Sequence, residues 1–327
     1  MVSLQTVQHA NAGIAALPSG LVALFMGATS GIGQSTLQHF AGHAPSSRIY
    51  SIARPSSVAS HESFLSTLRD ANSSVTTNLI TADVSLISEI DRLVDDLKQT
   101  ESKIDIVFLS AGFMAFEGRH DTKEGLDPSM STRYYSRLRL ITQLLPLLNN
   151  PAAPSPRIVS VLAGGLEGPL NEADLDLRGP GAWSFWNASV HAGTMGTLAL
   201  ERVARQNPRL SITHWFPGPV ATPGLKRANA FGMRPPNPAS QDEAGQRGAT
   251  IATNDRYAVS GAEGLVPRPQ GLGPVKTSGG GIFLVDPNGE SSSNEGLLAG
   301  FRERGVDETV WRFTEEIFAA ATKAGRG

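Results

Sequence analysis

Short apolar runs alternate along this chain with longer segments in which apolar residues recur every three or four positions. Residues 21–26 (LVALFM) are apolar throughout and stop at Gly27. Such runs suit strands buried on both faces of a parallel sheet. A helix is predicted over 32–41, a strand over 48–53 and a helix over 58–71. A strand at 76–81, an amphipathic helix at 86–99 and a strand at 104–109 follow. A long helix is predicted over 126–148, ended by Asn149, Asn150 and Pro151. A strand at 157–162, a helix at 188–206 and a strand at 210–216 complete the alternation. This order predicts one α/β domain, with right-handed crossovers and a doubly wound parallel sheet of about seven strands carrying helices on both faces.

The two ends of the chain break the pattern. Residues 1–20 read as a docked helical arm with Leu4, Val7, Ile14 and Leu17 on its apolar side. Residues 226–280 are rich in Gly, Pro, Ser and Asn, with one helix over 241–253. A long irregular stretch in a compact domain is usually functional, so this one is expected to be a substrate lid. A last strand at 281–285 and a helix at 306–323 follow, with no internal repeat and no second domain boundary.

Composition removes several classes of function. The chain has 327 residues, 40% of them hydrophobic, with 28 basic and 30 acidic residues and a formal net charge of −2. That balance gives no electrostatic footprint for nucleic acid or an anionic membrane. The cysteine count is zero, which removes disulfides, thiolate metal sites and cysteine nucleophiles and suits a reducing compartment. No apolar run reaches the roughly 18 residues of a membrane span, and residues 1–20 carry no Lys or Arg of a signal peptide. The expectation is a cytoplasmic protein acting on a small molecule, without a metal.

The turn after the first strand carries chemistry. Gly27, Gly31 and Gly33 are spaced G-x-x-x-G-x-G between a buried strand and a helix. Glycines there permit a tight turn and close backbone approach to a pyrophosphate, and the helix N-terminus supplies free N–H groups. The candidate contacts are Gly27, Thr29, Ser30, Gly31, Ile32 and Gly33.

From Gly20 to Thr222 the chain resembles the short-chain dehydrogenase/reductase superfamily. The motifs that carry the likeness are GATSGIG at 27–33, ADVS at 82–85, LSAG at 109–112, LLPLL at 144–148, RIVSVLAGG at 157–165 and PGPVAT at 217–222. The wording also resembles fungal members linked to secondary metabolism. The resemblance implies a Rossmann-type sheet and a nicotinamide cofactor. It implies Asp83 and Val84 beside the adenine, Ala111 and Gly112 on the adenosine side, and Pro217, Gly218 and Thr222 near the nicotinamide. It also implies dimers or tetramers through the two long central helices, about 124–148 and 186–206. Arg54 follows the second strand, where an acidic residue would select NAD. A cation there suits a 2′-phosphate instead, so NADP(H) is expected.

The resemblance also implies an Asn, Ser, Tyr and Lys at the reacting centre, and none of them is in place. Ala163 stands at the Ser position, and Ser160 is expected on the opposite strand face. The only tyrosines are Tyr50, Tyr134, Tyr135 and Tyr257, and no Lys occurs between Lys123 and Lys226. One register puts Ser189 and Gly193 at the Tyr and Lys positions, and another puts Phe185 and Ser189 there. Arg133 stands for the Asn.

Arg133 and Arg137, one helical turn apart, are therefore candidates to face the cleft, with Tyr134 next to them, while His191, Ser189, Trp183 and Trp186 lie beside the missing Tyr. Arg133 is the candidate anion or carbonyl binder, and Tyr134 or His191 the candidate proton donor. Each also has a plain reading: Arg133 pairs with a surface carboxylate, Tyr134 packs in its helix, and His191 is a satisfied core histidine. Asp174 and Asp176 are expected to cap a turn. Trp183 and Trp186 either pack or wall an aromatic pocket. Three functions stay open: an NADP(H)-dependent reductase with an unusual proton donor, a non-redox isomerase, lyase or cyclase on the same scaffold, and an inert nucleotide-binding protein.

Overall fold

The apolar runs become the strands of one parallel seven-stranded sheet in the computed structural model, which describes residues 2–324. The strands are β1 (Leu21–Met26), β2 (Ser47–Ala53), β3 (Val75–Thr81), β4 (Ile106–Leu109), β5 (Arg157–Val161), β6 (Ser211–Trp215) and β7 (Phe283–Val285). Their order in space is β3-β2-β1-β4-β5-β6-β7. The chain winds outward from β1 to β3, then returns to place β4 against β1. Met26 is in register with both Ile52 and Leu109, so the C-terminal ends of three strands lie level around this reversal. Doubly wound sheets bind ligands in the crevice at such a reversal.

Side chains alternate between two cores, as the pleat requires. Val22, Leu24 and Met26 of β1 face one layer, while Leu21, Ala23 and Phe25 face the other. The helices are α1 (Leu4–Ala12), α2 (Gly31–His43), α3 (Val58–Ala71), α4 (Ile87–Thr100), α5 (Pro128–Met130), α6 (Ser136–Leu148), α7 (Phe185–Gln206), α8 (Pro223–Asn229), α9 (Gln241–Thr253), α10 (Glu295–Glu303) and α11 (Val306–Ala324). The first layer takes α4, α6, α7, α10 and α11, and the second takes α2, α3 and α9. The fold is thus the Rossmann-type sheet expected. The arm is docked too: Asn11 Nδ2 donates to Gln246 O at 2.9 Å and Thr250 Oγ1 donates to Asn11 Oδ1 at 2.8 Å, tying the arm to α9.

Four regions depart from expectation. The helix expected over 126–148 is not regular. Asp127 caps α5 by accepting from the backbone N–H of Ser129 and Met130, and a widened turn over Ser131–Tyr135 then joins α5 to α6. A single widened turn of this type inserts one residue and re-aims the side chains around it. Helix α7 starts three residues early because Ser184 Oγ caps it, accepting from Asn187 N.

The stretch 226–280 is not one lid. Only α8 and its following turn, up to Ala239 against Val220, lie at the C-terminal edge of the sheet. Buried Ala244, Ala249, Ile251 and Ala252 pull α9 into the core against α2. The segment after it runs under the opposite edge, where Arg157 donates to Asn254 O.

Finally, α11 lies across α7 and α4. Arg205 pairs with Asp307 at 2.7 Å, Arg202 pairs with Glu308, and Arg139 lies over the Phe318 ring. Helix α11 thus packs on α7, one of the two helices expected to meet partner subunits. Among the described residues no helix is long and apolar enough to cross a membrane, and no group of His, Cys, Asp or Glu is arranged to hold a metal ion.

Candidate active site

The glycine turn and the end of β4 touch through their backbones. Gly27 has φ +101°, and a Cβ on it would collide with the backbone nitrogen of Ala111. A Cβ on Gly33 would collide with Ser110 Oγ and Gly27 O. Ser110 Oγ instead donates to Gly27 O at 3.1 Å. Only glycine permits this contact, since any side chain would push β1 and β4 apart at the crevice. Ser30 stands at the N-cap of α2 without a side-chain cap bond, so the first N–H groups of the helix stay available for an anion.

The last family segment meets the same turn. Thr222 caps α8 by accepting from Leu225 N, and its Cγ2 is 3.3 Å from where a Gly31 Cβ would be. Gly218 holds φ +71° in the bend before it. At the end of β2, Arg54 is exposed and has no ion-pair partner among the described residues. At the end of β3, Asp83 Oδ1 accepts from Ser85 N and Ser85 Oγ, with Val84 half-buried beside it. The structure thus gathers Gly27–Gly33, Ala111, Gly112 and Gly218–Thr222 at one crevice, with Arg54 and Asp83 on the same edge. Free helix N–H groups and an unpaired Arg are the donors that a dinucleotide phosphate needs.

Beside Gly112 the chemistry changes. Arg133 is buried, and its Cγ lies 3.0 Å from where a Gly112 Cβ would be. Its Nε donates to Ser129 O at 3.0 Å, one Nη to Ser129 Oγ at 3.1 Å and the other to Ser189 Oγ at 2.9 Å. Arg137 is also buried. It donates to Thr132 O, Ser160 Oγ, Val161 O and Ala111 O, and so clamps the ends of β4 and β5 together. Neither guanidinium has a carboxylate partner among the described residues. Burial pushes Arg133 down to about 10 and Arg137 down to about 9, the second helped by repulsion from Arg133.

The other candidates sit elsewhere. The Tyr134 hydroxyl is 2.6 Å from Thr314 Oγ1 of α11, and burial raises its pKa. His191 Nε2 accepts from Asn171 N at 3.0 Å while Nδ1 faces Leu175 O at 3.1 Å. Both ring nitrogens are thus engaged by backbone, and burial favours the neutral form. Asp174 caps its turn, accepting from Arg178 N and Gly179 N. Asp176 does not cap a turn. It is buried, with Tyr135, Arg119 and Arg178 around its carboxylate.

A Gly193 Cβ would lie 3.1 Å from Ala163 Cβ, so these two positions face each other. Ser160 faces α6, where Arg137 takes its hydroxyl. Trp183 is under the Arg119 guanidinium, and Trp186 is 67% exposed.

Two groups escaped the sequence reading. Ser129 is the first, and its spacing Ser129, Arg133, Arg137 was a usable signal, because residues four apart share a helix face. The second is a buried chain. Thr197 Oγ1 donates to Glu167 Oε1 and meets His214 Nδ1, while His214 Nε2 accepts from Ala163 N. Burial brings this histidine down to about 3, so it is neutral and holds the loop after β5.

Comparison with known proteins places the chain in a family. The profile of the family described as short chain dehydrogenase matches residues 21–230. An NmrA-like family domain-containing oxidoreductase, notO, from Aspergillus sp. (strain MF297-2) is 75% identical over 100% of this chain and 98% of its own. Oxidoreductase AN1596 from Emericella nidulans is 37% identical over 98% of this chain and 99% of its own. Among solved structures, a short-chain dehydrogenase from Sphingobium yanoikuyae in complex with NADPH superposes with a TM-score of 0.54 at 18% identity, covering 77% of this chain and 89% of that one.

Proposed function

The chain belongs to the short-chain dehydrogenase family, and we propose that within it this protein is an NADP(H)-dependent oxidoreductase that holds the reacting oxygen on Arg133 in place of a tyrosine and lysine. The observation that carries the reading is a pair of buried arginines beside Gly112 with no ion-pair partner among the described residues, Asp127 favouring the Arg133 charge without pairing with it. A buried guanidinium left unpaired is costly. A ligand that brings negative charge, or develops it during reaction, relieves that cost.

Arg133 has the capacity for this role. Three of its five N–H donors are used on Ser129 and Ser189, which leaves two. Ser129 of α5 and Ser189 of α7 together fix the guanidinium plane. Arg137 spends four donors on the strand ends and Thr132, so its part is to hold the corner in shape. Ser189 gives its own proton to Phe185 O at 2.7 Å. Its part is positioning. Tyr134 and His191 carry no proton step in this reading, because their polar atoms are already engaged away from Arg133.

Charge also narrows the substrate. Two adjacent cations disfavour an iminium and favour an oxygen that becomes anionic, as in a carbonyl or a conjugated carbonyl compound. When bound, the dinucleotide would supply or accept the hydride, and the oxygen held on Arg133 would exchange its proton with water. Arg54 supports NADP(H) by offering its free cation to a 2′-phosphate, and the relatives' names support redox chemistry. We place the substrate among small secondary-metabolite intermediates, handled by a cytoplasmic protein. With α11 packed on α7, one of the two helices that would meet a partner, the reading makes the chain a monomer rather than a dimer or tetramer.

The test is deuterium transfer from reduced 4-deuterated NADPH to a panel of ketones and α,β-unsaturated ketones. Label in the product is expected, and no transfer to any member overturns the redox reading. A second reading, a non-redox isomerase or cyclase, draws on the same clamp, which steadies an enolate equally well without a hydride. Turnover that persists with the nucleotide stripped away would favour it.

A further inference from the structure

Four aromatic rings from three separate segments meet at the mouth of this site. Phe116, in the loop after β4, stacks on Phe231 with centroids 4.5 Å apart and planes 13° apart. Its other neighbour is Phe185, at 4.6 Å and 29°. Trp186 meets Phe185 edge-on at 5.0 Å. Despite this stacking the two outer rings are open to solvent, while Phe116 and Phe185 are half-buried. Trp186 is 67% exposed and Phe231 54%, and Phe113 and Met114 continue the patch toward Gly112. Single exposed apolar side chains are ordinary, but a contiguous group at a cleft marks a binding surface.

The wall is continuous with the proposed site. Phe185 O takes the proton of Ser189, whose oxygen receives Arg133. Phe231 follows α8, whose cap Thr222 packs on Gly31. The π-surface therefore shares α7 with the serine that holds the Arg133 guanidinium. Flat rings present faces that a planar π-system covers and a puckered saturated ring does not.

We propose that the wall of Phe116, Phe185, Trp186 and Phe231 binds the planar aromatic part of the substrate, which carries an acceptor oxygen toward Arg133. This inference rests on the reading above for the oxygen end alone. The aromatic end stands on the ring geometry.

The test uses the full chain with NADP⁺ present and two probes of equal charge and similar size, 2-naphthoate and decahydro-2-naphthoate. Calorimetric titration is expected to show 2-naphthoate binding about fivefold tighter, as ring stacking on one exposed aromatic face implies. It is expected to quench tryptophan emission in the native chain and not in Trp186→Leu. In Phe231→Leu/Trp186→Leu, both at exposed positions that leave the core intact, the preference is expected to fall below about twofold. Equal affinities in the native chain, no binding of either probe, or a preference undiminished in the double variant would each overturn the proposal. So would a shift from dimer to monomer in Trp186→Leu, or vesicle binding that the double variant abolishes. If Arg133→Met leaves 2-naphthoate affinity unchanged while the aromatic preference persists, only the oxygen assignment fails.

Discussion

The two halves of the crevice, on either side of Gly112, are built from different materials. On the β1 side the site is backbone: glycines where a Cβ would collide, an uncapped helix N-terminus and a threonine cap laid against the turn. On the β5 side it is side chain: two guanidiniums held by three serines and by carbonyls of neighbouring elements. A backbone site is fixed by what each residue forbids. A side-chain site is fixed by partners that arrive from elsewhere in the chain. The first is rigid and inexpensive in charge, while the second buries two like charges, which burial alone disfavours. In the proposed reading one half holds the nucleotide and the other handles the oxygen, and the two should break separately.

The largest effect is expected on the backbone side. Gly33→Val places branches where even a Cβ would strike Ser110 and Gly27. NADPH affinity should fall by about 100-fold or more, read by nucleotide fluorescence titration, because the turn must open. Arg133→Met should do the reverse. Turnover should drop by about 100-fold, the size expected for losing a donor to a developing oxyanion, with NADPH affinity nearly unchanged. Thermal unfolding should shift upward, since an unpaired buried charge is gone. A variant that loses nucleotide binding and turnover together would show that the halves are not separable. Arg54→Glu is smaller. It should cost NADPH about tenfold against NADH, the worth of one charge-assisted contact to a phosphate.

The same contrast explains what was legible in the chain. The sheet, its reversal and the glycine turn follow from local pattern, since each depends on residues within a few positions of one another. The absence of the usual Tyr and Lys was equally plain, because an absence needs no partner. What the proposed reading puts in their place was half visible. Arg133 and Arg137 were found by helical spacing, but Ser189 lies 56 residues from Arg133 and Ser160 lies 23 from Arg137. Assignments across such distances depend on how α6 and α7 pack. The widened turn at Ser131–Tyr135, the burial of α9 and the capture of Tyr134 by α11 are also tertiary outcomes. Periodicity within one segment carries no trace of them.

Burial on the β5 side also has a pH signature. His214 is held down to about 3 in the folded protein against 6.5 for the free imidazole, because it is buried beside Arg137. Above about 6.5 both states are neutral, and stability does not change on its account. Between those values the unfolded chain binds a proton that the folded chain refuses, so stability falls as the pH drops through that window. The native chain should therefore lose on His214→Gln between about pH 7 and 4.5. Urea midpoints measured at both ends check this, and parallel curves for the two proteins would show that His214 is not buried as a neutral ring.

The smallest expected effect falls on Tyr134, which neighbours Arg133 in sequence. Its hydroxyl is buried against Thr314 Oγ1, and Thr314 in turn donates to Val310 O at 2.7 Å. Removing the hydroxyl in Tyr134→Phe leaves the ring packed and takes away one buried hydrogen bond, at a cost of about 1 kcal/mol. Turnover and its pH profile should stay within about twofold of the native chain, since removing a group outside the transition state leaves kcat/KM unchanged. A loss of about 100-fold, the size that marks a general acid, would return Tyr134 to the reaction. It would also mean that α11 moves aside during turnover, because the hydroxyl cannot serve a substrate while it is held by Thr314.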